Sequence, residues 1–260
     1  MSSNFSEKLP EERRQSILEI LQREGKIATP DLSRRLGVSI DTIRRDMKYL
    51  EAAGRLDRVH GGALPRTPCA LPFQARQQQD MTARRVIARE AAGFIRPDQV
   101  VFIDSGTTAE ETARHLPTDL RATIITPSPP VAMALAGHSG IKVIMPGGVL
   151  DVSTMALSGP ATCQAIREIR ADVCILGVCS IHPEAGVTTV SYDEVATKRA
   201  MIANSHSVIA PVVGEKIGTA APYEVAPLAG LTHIITEIAL ENELVVPYTN
   251  AGITIITAQE

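Results

Sequence analysis

The stretch Val101-Phe-Ile-Asp-Ser-Gly-Thr-Thr108 holds residue types suited to gripping an anion. An apolar, strand-like run leads into Asp104, Ser105, Gly106, Thr107 and Thr108, and the helical text AEETARHL follows. Gly106 lets the backbone approach a ligand closely, the N–H groups of a starting helix can point at a negative charge, and three hydroxyls add donors. The chemistry on offer is phosphate binding. A plain strand-to-helix turn with Ser or Thr as its N-cap would read much the same, so these five residues alone leave both readings open.

A second group of residues suits a larger anion. In IDTIRRDMKYLEAAG, Ile40, Ile43, Met47 and Leu50 recur at helical spacing and form one apolar stripe. Asp41, Thr42, Arg45 and Tyr49 then point outward, with Arg44 at the flank and Ser39 as the N-cap. Arg45 and Thr42 are the candidates for contacts to base edges, because the planar fork of Arg bonds two acceptors on guanine.

The elements that must position these residues are legible nearby. Ile17, Leu18, Ile20 and Leu21 give a first helix its apolar face, and Gly25 stops it. A second helix is expected over TPDLSRRL, with Thr29 as N-cap, Pro30 at the first helical position, and Leu32 and Leu36 inward. Only Gly37-Val38-Ser39 separates it from the third, the spacing of a helix-turn-helix whose second helix enters the major groove of DNA. Beyond Gly54, RLDRVHGGAL reads as a hairpin turning at Gly61-Gly62. It carries Arg55, Arg58 and His60, which completes a winged helix.

Charge is divided in a way that fits this reading. The net charge is -3, yet residues 1–66 hold 13 Lys and Arg against 10 Asp and Glu, while the remainder hold 13 against 19. The basic end can meet a polyanion. Nothing resembles a membrane span or a secretory signal, which leads to the expectation of a cytoplasmic protein with no membrane partner. The four cysteines include no CxxC pair and the six histidines are scattered singly, so neither a metal site nor a cofactor is expected.

Between Pro65 and Phe73, PRTPCALPF cannot be regular structure. This places a winged-helix domain at residues 1–64, a linker at 65–73 and a second domain at 74–260. In the second domain a single helix is expected over QARQQQDMTARRVIAREAAGFI. Apolar segments then alternate with helical ones: VVFID, ATIIT, IKVIM, DVCILGV, SVIAPVV, HIIT and ITIIT. Such alternation indicates an α/β domain with a mainly parallel sheet, in which ligands bind at the carboxyl ends of strands.

Across roughly residues 9–240 the chain resembles the DeoR family of bacterial transcriptional regulators. RRQSILEILQREGKI, TIRRDMKYLEAAGRLDRVHGGAL, DSGTT, MPGGVL, LSGP, ATKRAMI and EKIG carry the resemblance. It implies a C-terminal sensor domain, sugar-phosphate-isomerase-like in fold, that binds a phosphorylated sugar and alters operator affinity. It also implies that Asp104 to Thr108 form the phosphate loop, Gly147 and Gly148 a second glycine turn, and Lys198 and Lys216 cationic partners. Lys198 has a competing reading as a surface pair with Glu194 at i,i+4.

The text departs from the family at Thr126-Pro127-Ser128, at Val213-Gly214-Glu215-Lys216 and around Asp151-Val152-Ser153. The last two put acids near an anion site. Related isomerases need a general base in a Gly-Ala-Asp-Glu loop, where this chain has Gly177-Val178-Cys179-Ser180. The expectation is therefore a repressor and not an enzyme: at least a dimer (dimer or tetramer), binding a double-stranded operator and a small phosphorylated metabolite. The alternative is a sugar-phosphate isomerase or deaminase that uses Glu194 or Asp193 as its base. Cys179 is read as a buried strand-end thiol, with redox sensing as the second reading.

Overall fold

The computed structural model describes residues 9–24, 27–52, 56–59, 61–65, 71–78 and 81–259. The chain divides into two compact units, Met1–Thr67 and Pro68–Glu260.

In the first unit three helices, α1 (Pro10–Glu24), α2 (Thr29–Leu36) and α3 (Ile40–Ala52), share a core with a small antiparallel sheet. That sheet has the order β1 (Ile27–Ala28), β3 (Gly62–Pro65), β2 (Leu56–Val59). Ile17, Leu21, Leu32, Leu36, Ile43, Met47, Leu50 and Leu56 fill the core. The turn between α2 and α3 works because Gly37 takes a left-handed conformation (φ 66°) and returns its N–H to the Ser33 carbonyl.

Strand β1 was not foreseen, and it changes how α2 starts. Ala28 pairs with Gly62, and Thr29 N donates to Gly61 O at 2.8 Å. Thr29 therefore already lies inside the helix, and Ala28 holds the cap position with no side-chain bond. A Cβ on Gly62 would strike the Ile27 carbonyl, so the strands can approach only around glycine. Ile40 also departs from expectation. It is 40% exposed in the first turn of α3, and the buried positions are Ile43, Asp46, Met47 and Leu50.

In the second unit α4 (Phe73–Gln77) and α5 (Thr82–Ala92) replace the single helix expected there. Phe73 N at the start of α4 is held by Ser153 O at 2.7 Å, and both helices contact α6 (Thr107–Arg114), α5 the more extensively.

The main sheet has seven strands in the order β15 (Thr254–Thr257), β14 (His233–Thr236), β12 (Ser205–Pro211), β9 (Ala171–Ile175), β4 (Val100–Ile103), β5 (Ala122–Ile125), β6 (Ile141–Ile144). Every pairing is parallel, and the strands are the seven apolar segments of the sequence. Strand alternation divides the core. Val101 and Ile103 pack with Ile87, Ala109 and Val131 of α5, α6 and α7 (Pro129–Ala134). Phe102 faces the opposite layer, with Ile166 of α8 (Pro160–Arg167) and Met201 of α9 (Tyr192–Ala203). Tyr248 of α10 (Val246–Asn250) is buried in that second layer.

Two additions lie outside the alternating pattern. One is the hairpin β7 (Val149–Asp151) and β8 (Ala156–Ser158). The other is an antiparallel sheet of β10 (Ser180–His182), β11 (Gly186–Thr189) and β13 (Tyr223–Ala226). No helix among the described residues is long and apolar enough to cross a membrane.

Candidate functional sites

On α3 the outward residues differ in how far they are already engaged. Ser39 Oγ caps the helix by accepting Thr42 N at 3.1 Å and lies 2.9 Å from Thr42 Oγ1. Arg44 reaches Asp41 at 3.2 Å, an exposed i,i+3 pair of little energy. Arg58 on the wing lies 3.4 Å from Glu51. Arg45 is exposed and has no ion-pair partner among the described residues, which leaves its fork available. Arg55 and His60 lie outside the described residues.

A buried carboxylate beneath this face was not anticipated. Asp46 accepts Arg13 Nε at 2.6 Å and Arg14 Nε at 3.1 Å, which ties α1 to α3. The Arg14 guanidinium lies 3.7 Å from the Tyr49 ring centroid, so one face of that ring is covered while half of the residue stays exposed. The text offered a signal in the acid flanked by apolar positions at i-3, i+1 and i+4.

The second site forms where the sheet reverses direction in strand order. Strands β4, β5 and β6 step one way from the centre and β9, β12 and β14 the other, so the loops after β4 and β9 diverge and leave a crevice. Ser105, Gly106, Thr107, Thr108 and Ala109 line one side, and Leu176 to Cys179 the other. Gly106 has φ 118°, a conformation that side chains disfavour, and α6 starts there without a side-chain cap. Its first intrahelical bond is Glu110 N to Gly106 O at 3.0 Å, and Thr107, Thr108 and Ala109 lie at the cavity ahead of it. The loops fit together because position 177 is glycine, since a Cβ there would strike the Ser105 carbonyl.

Asp104 lies below the loop and is fully buried. Its Oδ1 accepts Ser105 N at 2.7 Å, and its Oδ2 accepts Gly177 N at 2.9 Å and Lys198 Nζ at 2.6 Å. Lys198 also reaches the Gly177 carbonyl at 2.9 Å and Glu194 at 3.3 Å. The surface-pair reading of Lys198 is therefore corrected, because the residue is 3% exposed and holds two carboxylates. Burial by itself pushes the Lys198 amine down. The Asp104 and Glu194 charges outweigh that and hold it above its ordinary range.

Lys216 lines the same cavity and donates to Val178 O at 2.8 Å. Arg76 and Thr154, which the sequence did not single out, line it as well. Cys179 is a buried thiol at the cavity and forms no disulfide. Gly147 and Gly148 are not among the lining residues. Gly147 O accepts Thr162 Oγ1 at 2.6 Å, and a Cβ on Gly148 would collide with that hydroxyl, so this turn packs on α8.

Comparisons with known proteins bear on both units. A family model described as the DeoR-like helix-turn-helix domain matches residues 13–67, and one described as the DeoR C terminal sensor domain matches residues 79–238. The HTH-type transcriptional regulator GlpR of Haloferax volcanii is 32% identical over 95% of this chain and 98% of its own length. The chain belongs to the DeoR family.

The Glycerol-3-phosphate regulon repressor of Escherichia coli is also 32% identical, over 87% of this chain and 90% of its own length. Among solved structures, ribose 5-phosphate isomerase A of Methanocaldococcus jannaschii aligns at 14% identity and a TM-score of 0.38, covering 51% of this chain and 52% of that one. In this DeoR-family regulator the helix-turn-helix domain is the first unit, and the sensor domain with its parallel sheet lies in the second. Asp46, Arg76 and Thr154 are positions that the sequence did not bring forward.

Proposed function

We propose that this transcriptional regulator is an effector-modulated repressor whose operator affinity is set by a small phosphorylated sugar or polyol held at the crevice between β4 and β9. The supporting observation is the start of α6, where amides of Thr107, Thr108 and Ala109 lie uncapped at a cavity that Arg76 and Lys216 also reach. Three cations against the Asp104 and Glu194 carboxylates leave the surroundings slightly positive. Lys198 is already neutralised by its two partners, so the amides and Lys216 would hold the phosphate. The relatives whose name includes glycerol 3-phosphate make that compound the first to try.

Binding without turnover is the reading that the loop after β9 favours. Gly177, Val178, Cys179 and Ser180 supply no carboxylate, and Glu194 is directed at Lys198. On this view the cytoplasmic protein acts as a homo-oligomer, at least a dimer, because a two-fold assembly reads repeated half-sites. The test is a thermal-shift screen of glycerol 3-phosphate, pentose phosphates and hexose phosphates, since a ligand selective for the folded state raises the melting temperature. Isomerase assays run on each hit should show no product. Turnover that disappears in Glu194→Gln would replace the regulator reading of this site with an enzymatic one.

A further inference from the structure

The amides of α6 and Lys216 account for the inner part of the anion cavity and leave its outer wall without a role. Two pieces of chain build that wall, α4 through Arg76 and the tip of the β7–β8 hairpin through Thr154. They are fastened to each other and to the sensor. Phe73 N donates to Ser153 O at 2.7 Å, the Phe73 ring is buried, and Gln77 Nε2 donates to Glu110 Oε2 on α6 at 2.7 Å.

The hairpin tip is itself braced. Asp151 Oδ1 accepts Ser153 N at 2.8 Å and Ser153 Oγ at 2.7 Å, and Asp151 O accepts Met155 N at 2.7 Å. The Ser153 hydroxyl is the largest influence holding the Asp151 carboxyl below its ordinary range, and burial, the next largest, works the other way. Met155 sits at φ 55°, which such a residue adopts only where its surroundings enforce it.

Within this rigid turn Thr154 Oγ1 is buried and has no hydrogen-bond partner of proper geometry among the described residues. It is the smallest of the influences lowering the Asp151 carboxyl, and its lone pairs remain for another group, to which the poorly placed proton can also turn. Arg76 is half-buried, and its Nε is occupied by Leu71 O at 3.1 Å. Its terminal amino groups have no hydrogen-bond or ion-pair partner among the described residues, and the guanidinium carbon lies 5.8 Å from the Phe73 ring centroid. A guanidinium fork and an unused hydroxyl on one cavity wall match the oxygens of a phosphate that face away from the helix.

We propose that Arg76 and Thr154 are ligand-binding residues that close the outer side of the anion site, so that a bound phosphate ties α4 and the hairpin tip to the start of α6. The proposal rests on the effector reading given above and adds to it the residues that make binding immobilise α4. This helix is the first described element after the division of the chain at Pro68. A ligand held only by α6 and Lys216 would leave that segment unchanged.

The full-length chain is tested with glycerol 3-phosphate, pentose and hexose phosphates and inorganic phosphate. Melting temperature is read against each variant's own ligand-free value, and affinity is measured by titration calorimetry. For the tightest of these probes, Thr154→Val and Arg76→Gln should each weaken binding about tenfold, the effect of removing a hydrogen bond to a charged group. Thr154→Ser, which keeps the hydroxyl, should stay within about twofold of the parent chain. Amide exchange over residues 71–78 should slow on binding in the parent chain and not in Arg76→Gln. If Lys216→Gln weakens binding while Thr154→Val and Arg76→Gln do not, the clamp is overturned and the effector reading stands. If no probe raises the melting temperature of the parent chain, both fall together.

Discussion

The two units bury the same interaction with opposite signs. In the DNA-reading unit one carboxylate, Asp46, is held by two arginines. In the sensor one amine, Lys198, is held by two carboxylates, Asp104 and Glu194. The difference lies in what is withdrawn from the ligand. Asp46 engages Arg13 and Arg14 of α1, while Arg45 on the exposed face of α3 has no ion-pair partner among the described residues. Asp104 and Glu194 engage Lys198, so on the proposed reading the amides of α6, Lys216 and Arg76 are left to bind the anion. In each case a buried ion pair fixes geometry, and the ligand meets the groups around it.

Breaking the sensor pair should cost most. Lys198→Met leaves the buried Asp104 carboxylate beside Glu194 without its cation, and a loss of roughly 3–5 kcal/mol in urea unfolding is expected. Adding Asp104→Asn should restore part of it, because one uncompensated buried charge is removed. No recovery would mean that the pair matters through packing alone. In the reader, Asp46→Ala should cost less, about 2 kcal/mol, because Arg13 and Arg14 are partly exposed and can turn to water. Equal losses in the two units would remove the contrast.

Smaller changes sharpen it. Arg45→Ala should leave stability within error and lower specific operator affinity by roughly 1–3 kcal/mol, with relaxed preference at one base pair. Ser39→Ala should cost about 1 kcal/mol of stability through loss of the cap to Thr42. Its effect on DNA binding should follow from that alone.

The buried lysine should not make anion binding depend on pH near neutrality. Lys198 is held above its usual range, so its contribution is fully present below the ordinary lysine pKa and is lost only as pH rises beyond it. Between pH 6 and 9 the amine should not titrate. The fall in affinity toward acid should come from the ligand, whose phosphate has its second pKa at roughly 6.

Much of this arrangement was legible in the chain, for identifiable reasons. All seven strands of the main sheet were visible because strands buried on both faces read as unbroken apolar runs such as VVFID and HIIT. Helix α3 was visible because its stripe repeats at three and four residues, although Ile40 was misplaced on it. The start of α6 was visible because strand, glycine and hydroxyls follow one another in sequence. What escaped depends on contacts between distant positions. Strand β1 is too short for a pattern, and the bond that holds the start of α4 joins Phe73 to Ser153, far away in the sequence. Lys198 reads as a surface helix residue until β4 and β9 are paired, since only then does Asp104 reach it. Arg76 and Thr154 enter the cavity from opposite sides of more than seventy residues of chain, and no local text links them.

The most direct test of the account is operator binding with and without effector. A duplex selected by the full-length protein from a random pool is titrated by fluorescence anisotropy at fixed salt, in the absence and presence of a saturating phosphorylated compound that raises the melting temperature. The account predicts that the compound shifts the dissociation constant by at least about fivefold, the lower end of ordinary coupling between sites. An unchanged dissociation constant with the sensor saturated would contradict it.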